Sequence, residues 1–400
     1  MIIGIIGGGA SGMAAALAAS ENPEAQVLLF ERQARLGRKL QATGNGRCNL
    51  SNRNTAPGHY HGQQPDFVCH ALSVFGQQET CDWFRSMGLF TVSEPSGRIY
   101  PYSDQANSVF DVLRFALEKP NITVLTGQEI SKICRHEDGF LVDDRFCHRV
   151  IVACGGLAGS KLGGSMSGYR LLRSMGHSVS KLRPTLVQLK SGWSGVTALK
   201  GVRANCRASI FRNQELHSES TGEIQFTDYG LSGPVIFEIS RDACQGTGTW
   251  ICRLDLLPDV SYDELYQELL RRRGTSLPAE ELLTGVLHNR LGKVLTKTAG
   301  ISFRKTVSEL TEGELEAVCA TVKAFEIPLT EPMGMDSAQV TAGGILTEDF
   351  DPVTMESKLV PGLYACGEVL DIDGDCGGYN LQWAWSSGRI AGYRAGKESL

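Results

Sequence analysis

A glycine-rich turn near the start of the chain has the residue types needed to hold a dinucleotide phosphate. The segment Gly7-Gly8-Gly9-Ala10-Ser11-Gly12 fits the pattern GxGxxG, follows the apolar run Ile2–Ile6 and precedes an alanine-rich helical pattern. In this context the first glycine permits a tight turn, the second lets the backbone approach a pyrophosphate, and the third lets helix and strand pack closely. The helix start adds unpaired N–H groups and a partial positive charge. The predicted phosphate-binding residues are Gly7, Gly9, Ala10, Ser11 and Gly12.

An acidic residue stands at the end of the second predicted strand. Val27–Phe30 reads as a buried strand that ends at Glu31. A carboxylate at this place accepts hydrogen bonds from an adenosine ribose and repels a 2′-phosphate, which favours FAD or NAD over NADP. Arg32, beside it, is predicted to border the same site. The alternative is a glycine-rich turn followed by a surface glutamate.

A polar stretch after this strand, GRKLQATGNGRCNLSN, begins at Gly37. Arg38 and Lys39 can pair with phosphate, and the flexible residues after them can wrap an isoalloxazine ring; a solvated loop is the alternative. Disulfide reductases of similar fold need two cysteines four residues apart, but Cys48 is followed next by Cys69, so dithiol chemistry is not expected. The residues predicted to bind cofactor here are Arg38, Lys39, Thr43, Gly44, Asn45, Gly46 and Arg47.

A second glycine-rich region lies near the C-terminus. Leu363–Cys366 reads as a buried strand ending at Gly367-Glu368, and Gly377-Gly378-Tyr379-Asn380 opens a helix. The acid can bind a ribitol hydroxyl, and the helix start can direct N–H groups at the N1–C2=O edge of a flavin. This favours FAD over NAD; an amphipathic helix packed on the sheet is the alternative. Further predicted cofactor residues are Asp371 and, after the strand Val150–Ala153, Ala153 and Gly155.

The order of these elements predicts an α/β fold whose FAD-binding, Rossmann-like domain is formed from both chain ends. A chain of 400 residues is expected to form two or three domains. Residues 187–256 predict short strands and turns without long helices, and 261–325 predict helices, with capping-box spacing at Ser261 and Thr311. The predicted division is 1–186 and 341–400 for the FAD-binding domain, 187–256 for a β-rich substrate domain, 257–325 for a helical domain, and 326–340 for a strand returning to the inserted domain.

Three long motifs resemble one known family. The stretch from Gly37, FTDYGLSGP (Phe226–Pro234) and GEVLDIDGDCGGYNLQWAWSSG (Gly367–Gly388) resemble the BaiN/RdsA-type, or YhiN-like, bacterial flavoproteins over nearly the whole chain. The resemblance implies a Rossmann-like FAD domain with an inserted β-barrel-like domain and a small helical domain. It implies FAD contacts at Gly7, Gly9, Gly12, Glu31, Lys39, Arg47, Gly367, Glu368, Gly378 and Asn380, with the backbone of Ile130 near the adenine. Residues 156–169 depart from the family, because they lack its proline and its Asp-Gly-Tyr.

Members of this family differ in activity, so several functions stay open. Some reduce unsaturated bile-acid intermediates with a nicotinamide donor, others reduce a uridine of ribosomal RNA to dihydrouridine, and another branch oxidises aminoacetone. We expect an FAD-dependent oxidoreductase that takes hydride from NAD(P)H and reduces a conjugated C=C bond of a small molecule. Ribosomal RNA reduction, amine oxidation and a non-enzymatic flavin-bearing sensor are the alternatives. Candidate proton donors are Cys48, Tyr379 and Tyr229.

Composition and charge argue against several other classes of protein. The net charge of −5 argues against a generic basic face for nucleic acid, although Arg271-Arg272-Arg273 is a local basic run. Scattered cysteines without a CxxC predict a reduced, cytoplasmic protein, and no apolar run is long enough to span a membrane. No metal site is predicted, since His59 and His61 form an isolated HxH that is typical of a solvated loop.

Overall fold

The computed structural model describes residues 1–243 and 248–397. Contacts divide the chain into two compact units. The first comprises residues 1–183 with the described part of 339–400, and the second comprises residues 184–338. Each unit has its own buried apolar cluster.

Strands occur throughout both units. In chain order they are β1 (Ile2–Ile6), β2 (Gln26–Glu31), β3 (Ser51–Asn52), β4 (Tyr60–His61), β5 (Thr91–Ser93), β6 (Arg98–Pro101), β7 (Ile122–Thr126), β8 (Ile133–His136), β9 (Gly139–Val142), β10 (Arg145–Cys147), β11 (Arg149–Val152), β12 (Arg183–Thr185), β13 (Leu189–Ser191), β14 (Arg203–Arg212), β15 (Glu215–Phe226), β16 (Gly230–Ser232), β17 (Trp250–Asp255), β18 (Phe325–Pro332), β19 (Val340–Ala342), β20 (Leu363–Ala365) and β21 (Asp373–Gly374).

The α-helices are fewer, and short 3-10 turns join several of them to the strands. In chain order the helices are α1 (Ala10–Ala19), α2 (Arg38–Ala42), α3 (Val68–Val74), α4 (Gln77–Ser86), α5 (Ala106–Ala116), α6 (Ser167–Ser174), α7 (Pro234–Ala243), α8 (Tyr262–Arg272), α9 (Asn289–Thr298), α10 (Glu312–Lys323) and α11 (Tyr379–Gly396).

A five-stranded parallel sheet, in the order β20-β11-β1-β2-β7, is the centre of the first unit. Strand β1 has the sequence IIGII, and its four consecutive residues Ile3–Ile6 are all buried, as expected for a parallel strand covered on both faces. The C-terminal strand β20 pairs with β11, with Val150 opposite Leu363. The predicted Rossmann-like fold assembled from both chain ends is therefore confirmed.

Helices α1 and α11, from opposite ends of the chain, pack against each other through small residues. A Cβ atom on Gly388 would lie 2.4 Å from the carbonyl oxygen of Ser11, and one on Gly392 would lie 2.1 Å from that of Ala15. Contacts this short leave no room for a side chain. The glycines of α11 therefore let the two helices lie closely side by side.

The second unit contains a closed antiparallel barrel in the order β13-β16-β15-β14-β17-β18. Burial alternates along β17 and β18, so that one face of each strand packs into the core. The hairpin strands β14 and β15 have 10 and 12 residues, and α7 adds a ten-residue helix. The prediction that residues 187–256 form only short strands, without a long helix, is therefore wrong for β14, β15 and α7. The apolar residues of α7, Val235, Ile236 and Ile239, match a helix period but are too few to distinguish a helix from a strand.

The predicted helices of residues 261–325 are confirmed as α8, α9 and α10. Ser261 accepts a hydrogen bond from the N–H of Glu264, and Thr311 and Glu314 form a reciprocal capping box. These helices and the barrel share one buried cluster. In the described ranges, no helix combines the length and the apolar character that a membrane span requires.

Candidate functional site

The turn between β1 and α1 has the geometry expected of a phosphate cradle. Gly7 has a φ of +114°, and a Cβ atom on Gly12 would lie 1.8 Å from the carbonyl oxygen of Gly7, so both positions require glycine. A Cβ atom on Gly9 would meet nothing within 4 Å. The fold itself therefore does not need glycine at position 9. The open space lies at the start of α1, where a pyrophosphate would sit.

Other predicted residues converge on the first turn of α1. A Cβ atom on Gly367 would lie 2.6 Å from Ser11 Oγ, which brings the end of β20 against this helix start. Ala153 follows β11, and its N–H donates to the carbonyl of Ile6 at 2.8 Å. Gly155 has a φ of +69° and faces open space. Ala10 is the first residue of α1.

A narrow cleft of about 50 Å³ opens at the carboxyl ends of β1 and β2, and Glu31, Arg32 and Ile130 line it. Glu31 Oε2 accepts from the N–H of Gly8 at 2.9 Å, and Oε1 accepts from that of Gln33 at 2.7 Å. Each carboxylate oxygen keeps a further lone pair for a ribose hydroxyl. The acid thus holds the glycine turn in place while it borders the cleft.

Arg32 closes one side of this cleft. Its guanidinium donates to the carbonyl oxygen of Gly163 at 2.9 Å, within the segment that departs from the family pattern. Gly163, Ser165 and Ser167 line the same cleft. The atypical loop therefore borders the position expected for the adenosine end of the cofactor.

Lys39 and Glu368, assigned to phosphate and ribitol from sequence, form an ion pair with each other. Lys39 Nζ lies 2.8 Å from Glu368 Oε2, and Oε1 accepts from the N–H of Thr341 at 2.8 Å. Arg38 instead donates to Gln33 Oε1 at 2.7 Å. The pair unites the two predicted halves of the cofactor site.

The loop after α2 is sharply bent, with left-handed backbone at Gly44 and Asn45. Arg47 pairs with Glu94 at 2.8 Å and with Asp104 at 2.5 Å, and its guanidinium lies over the ring of Tyr100. These hydrogen bonds raise the pKa of Arg47. Thr43 Oγ1 donates to the carbonyl of Leu40 at 2.6 Å, and Gly46, at a φ of +86°, faces open space.

The loop before α11 is held by hydrogen bonds from Asn380 in α11 and from Asn52 in β3. Gly378, at a φ of +102°, caps the helix, and a Cβ atom there would lie 2.3 Å from the carbonyl oxygen of Ser51. Asn380 accepts from the N–H of Gly374 at 2.8 Å and donates to its carbonyl at 2.7 Å. The carbonyl of Gly377 accepts from the Asn52 amide at 2.9 Å. Asp371 is buried beside this loop and accepts from the N–H of Gln63 at 3.4 Å.

His59 and His61, predicted from sequence to lie in a solvated loop, form a cluster with Asp375 against the start of α11. Asp375 Oδ2 lies 2.9 Å from His59 Nδ1, and Oδ1 lies 2.6 Å from His61 Nε2. Burial alone raises the pKa of Asp375, but the bonds with His61 and His59 outweigh it and hold that pKa below its ordinary value. The His59 ring stacks on Tyr379 with centroids 4.4 Å apart. Two sequence features contribute to this cluster: the HxH motif and an acidic residue in the distant glycine-rich loop.

The three candidate proton donors are in different environments. Cys48 is fully buried, and burial raises the pKa of its thiol to about 12. Tyr379 is 5% exposed, between His59 and the edge of Tyr60. Tyr229 belongs to the second unit, where its carbonyl accepts from the N–H of Ser191 at 3.0 Å.

These residues fit FAD. The open space at Gly9 suits a pyrophosphate, and Glu31 and Ile130, which line the narrow cleft beside it, would border an adenosine. The buried Oδ1 atom of Asn49 has no hydrogen-bond partner among the described residues and stands beside Gly378. A ligand with a polar edge at this helix start would satisfy it.

Comparison with known proteins agrees with this geometry. The family model for the HI0933-like protein Rossmann domain matches residues 1–394. A 3-dehydro-bile acid delta(4,6)-reductase of Clostridium scindens is 40% identical, and the match covers 98% of each chain. A ribosomal RNA dihydrouridine synthase of Escherichia coli is 31% identical, over 96% of this chain and 95% of that protein.

A solved structure shares the fold. It is the 3-ketosteroid delta1-dehydrogenase of Sterolibacterium denitrificans, with a TM-score of 0.51 and 12% identity, over 98% of this chain and 99% of that one.

Proposed function

The chain belongs to the HI0933-like Rossmann-domain family, and from that premise we propose that it is an FAD-dependent reductase of a conjugated C=C bond in a small molecule, driven by NAD(P)H. The observation that carries the proposal is the full-length, 40% identity to a reductase of an unsaturated 3-oxo bile acid. Bacterial relatives support action in a bacterial cytoplasm.

The residues of the first unit would hold FAD from both chain ends. Gly9 and the N–H groups of α1 would take the pyrophosphate, Glu31 the adenosine ribose, and Glu368 with Lys39 the ribitol region. Bound FAD supplies hydride acceptance and donation. The start of α11 would favour negative charge on the flavin, because unpaired N–H groups lie at a helix N-terminus.

NAD(P)H would be a transient donor. The sequence contains no second GxGxxG followed by an acid, so the nicotinamide has no Rossmann site of its own. A donor that binds briefly leaves the same face available to the second substrate.

Ribosomal RNA reduction is the second candidate, because a 31% identical relative carries that activity. The basic run does not favour it. Arg271 and Arg272 both pair with Glu268, at 2.7 and 2.9 Å, and Arg273 lies 3.7 Å from Glu312. Cations neutralised by neighbouring carboxylates contribute little to the attraction of phosphate.

The test mixes the FAD-loaded protein anaerobically with NADH or NADPH and follows loss of the oxidised-flavin absorption. A conjugated 3-oxo steroid is then added. We expect rapid reduction by the nicotinamide, followed by reoxidation by the enone. Reduction only by an amine would instead identify an oxidase, and no reduction by any donor would identify a sensor.

A binding assay separates the RNA candidate. The protein is passed over immobilised ribosomal RNA at increasing salt concentration. We expect no retention even at low salt. Retention that weakens steeply with salt would contradict the small-molecule proposal.

A further inference from the structure

The His59–Asp375–His61 cluster has the geometry of an acid–base device. An ionised carboxylate accepts hydrogen bonds and cannot donate them. Asp375 is held ionised, since its pKa lies below the ordinary value. Both histidine nitrogens that face it, His59 Nδ1 and His61 Nε2, must therefore carry hydrogen, which fixes the tautomer of each ring.

The cluster is tightly held by backbone pairing. Strand β4 pairs with β21, with His61 opposite Asp373, and the N–H of Asp375 donates to the carbonyl oxygen of His59 at 3.0 Å. Tyr379 stacks on the ring of His59. The ring is thus fixed on one face by stacking and at Nδ1 by the carboxylate.

The cluster remains accessible to a ligand. The side chains of His59, His61 and Asp375 are 37%, 32% and 38% exposed. Cys48 and Tyr379, the candidates from sequence in this unit, are both buried. Imidazole also gains and loses a proton near neutral pH more readily than a thiol or a phenol.

We propose that His59 is the proton donor of the reaction, and that Asp375 and His61 position it. This inference rests on the proposed function. Reduction of a C=C bond adds one hydride and one proton. In the proton step the Nε2–H bond of the His59 imidazolium breaks, a C–H bond forms at the neighbouring carbon of the substrate, and neutral imidazole remains. Water then returns the proton.

His59 is preferred over His61 for a geometric reason. His59 contacts Asp375 through Nδ1, so the more distant Nε2 stays available at the ring tip. His61 uses Nε2 for the same carboxylate, which leaves the nitrogen closest to its own main chain. His61 therefore fixes the carboxylate. The titratable groups that contact His59 are Asp375 and Tyr379, with His61 behind the carboxylate.

The kinetic test isolates the proton step. Enzyme-bound flavin is reduced with dithionite and mixed anaerobically with a 3-oxo-Δ4 steroid, and flavin reoxidation is followed. We expect His59→Gln to slow reoxidation about 10²–10⁴-fold. The control His70→Gln, a half-exposed histidine outside the cluster, is expected to react like wild type. Equal FAD content in each variant shows that the fold is intact.

A second readout does not depend on turnover. Proteins labelled with ¹⁵N-histidine are compared by long-range ¹H–¹⁵N correlation spectra, with assignments from His59→Gln and His61→Gln. We expect His59 in the Nδ1–H tautomer in wild type. Asp375→Asn should change the tautomer of one of the two histidines, because an amide offers one acceptor and one donor.

The outcomes separate the two proposals. If the steroid fails to reoxidise wild-type flavin, the proposed function falls and this inference falls with it. If wild type reacts and His59→Gln reacts at the same rate, the function stands and the role of His59 is refuted. Unchanged tautomers in Asp375→Asn would overturn the positioning role.

Discussion

Lys39 Nζ lies 2.8 Å from Glu368 Oε2, so an ion pair joins helix α2, which follows β2, to the turn after β20. The two residues are 329 positions apart in sequence. One belongs to the N-terminal half of the predicted cofactor site and the other to the C-terminal half. The pair therefore fixes how the two chain ends meet.

Removal of the lysine from this pair should weaken FAD binding. We expect Lys39→Met to lower FAD affinity about tenfold, or roughly 1.4 kcal/mol, because the Glu368 carboxylate is then left without its cation. The stability of the apoprotein should change by less than about 1 kcal/mol, since both side chains are partly exposed. Isothermal titration with FAD and urea unfolding measure the two effects.

The matched control is another ion pair of similar length, Lys190 with Glu331 at 2.7 Å in the second unit. Lys190→Met should leave FAD affinity unchanged. An equal loss of affinity in both variants would show that Lys39 has no specific part in the site.

Gly9 offers a test of the phosphate cradle in which fold and binding separate. Its backbone is extended, and a Cβ atom would meet no protein atom within 4 Å, so Gly9→Ala should leave apoprotein stability unchanged. If a pyrophosphate fills that space, the added methyl group should lower FAD affinity at least about tenfold. FAD titration and thermal unfolding of the apoprotein check both parts.

Two further glycines serve as comparisons. Gly12→Ala should destabilise the apoprotein by about 1–3 kcal/mol, since its Cβ atom would lie 1.8 Å from a carbonyl oxygen. Gly334→Ala, in the second unit and also in open space, should affect neither property. Normal FAD binding by Gly9→Ala would contradict the location of the cradle.

His177 predicts an acid sensitivity of the first unit. Burial lowers the pKa of His177, against opposing contributions from the Leu172 carbonyl and Asp349. Its ring bonds Ser357 Oγ at 2.8 Å and stacks on Phe350. As the pH falls below the ordinary histidine pKa of about 6.5, the unfolded chain takes up a proton that the native state resists. Stability should therefore decrease as the pH falls from 7 to 5.

The variant His177→Gln removes this proton uptake, so its free energy of unfolding should depend less on pH over that interval. It should also cost about 1–2 kcal/mol at pH 7, because the buried hydrogen bonds are lost. The exposed His136→Gln is the control and should keep the wild-type slope. Urea unfolding at several pH values gives the answer, and an unchanged slope in His177→Gln would refute the prediction.

Cys48 should be chemically inert in the native protein. The thiolate is the reactive form of cysteine, and burial raises the pKa of Cys48 to about 12. Exposed Cys69 should react readily. With a disulfide reagent at pH 8, Cys48→Ala should leave the number of fast-reacting thiols unchanged, whereas Cys69→Ala should lower it by one. Fast labelling of Cys48 would show that this loop opens to solvent.

Local patterns were enough to predict the Rossmann-like half of the protein. The apolar run Ile2–Ile6, the glycine turn and Glu31 specify a βαβ unit, because each feature acts on its immediate neighbours. The capping residues Ser261 and Thr311 were predictable for the same reason. The helix α7 was missed, because a few apolar residues fit a strand as well as a helix.

Contacts between residues far apart in sequence were decided by the tertiary structure. The sequence predicted cofactor contacts for Lys39 and Glu368, but it did not predict that the two residues pair with each other. It interpreted His59 and His61 as solvated loop, whereas strand pairing brings both to Asp375 more than 300 positions away. Side-chain types and short spacings determine which chemistry the chain can carry. Only the packing of its two ends determines which of those side chains meet, because long-range contacts leave no periodic signal in one sequence.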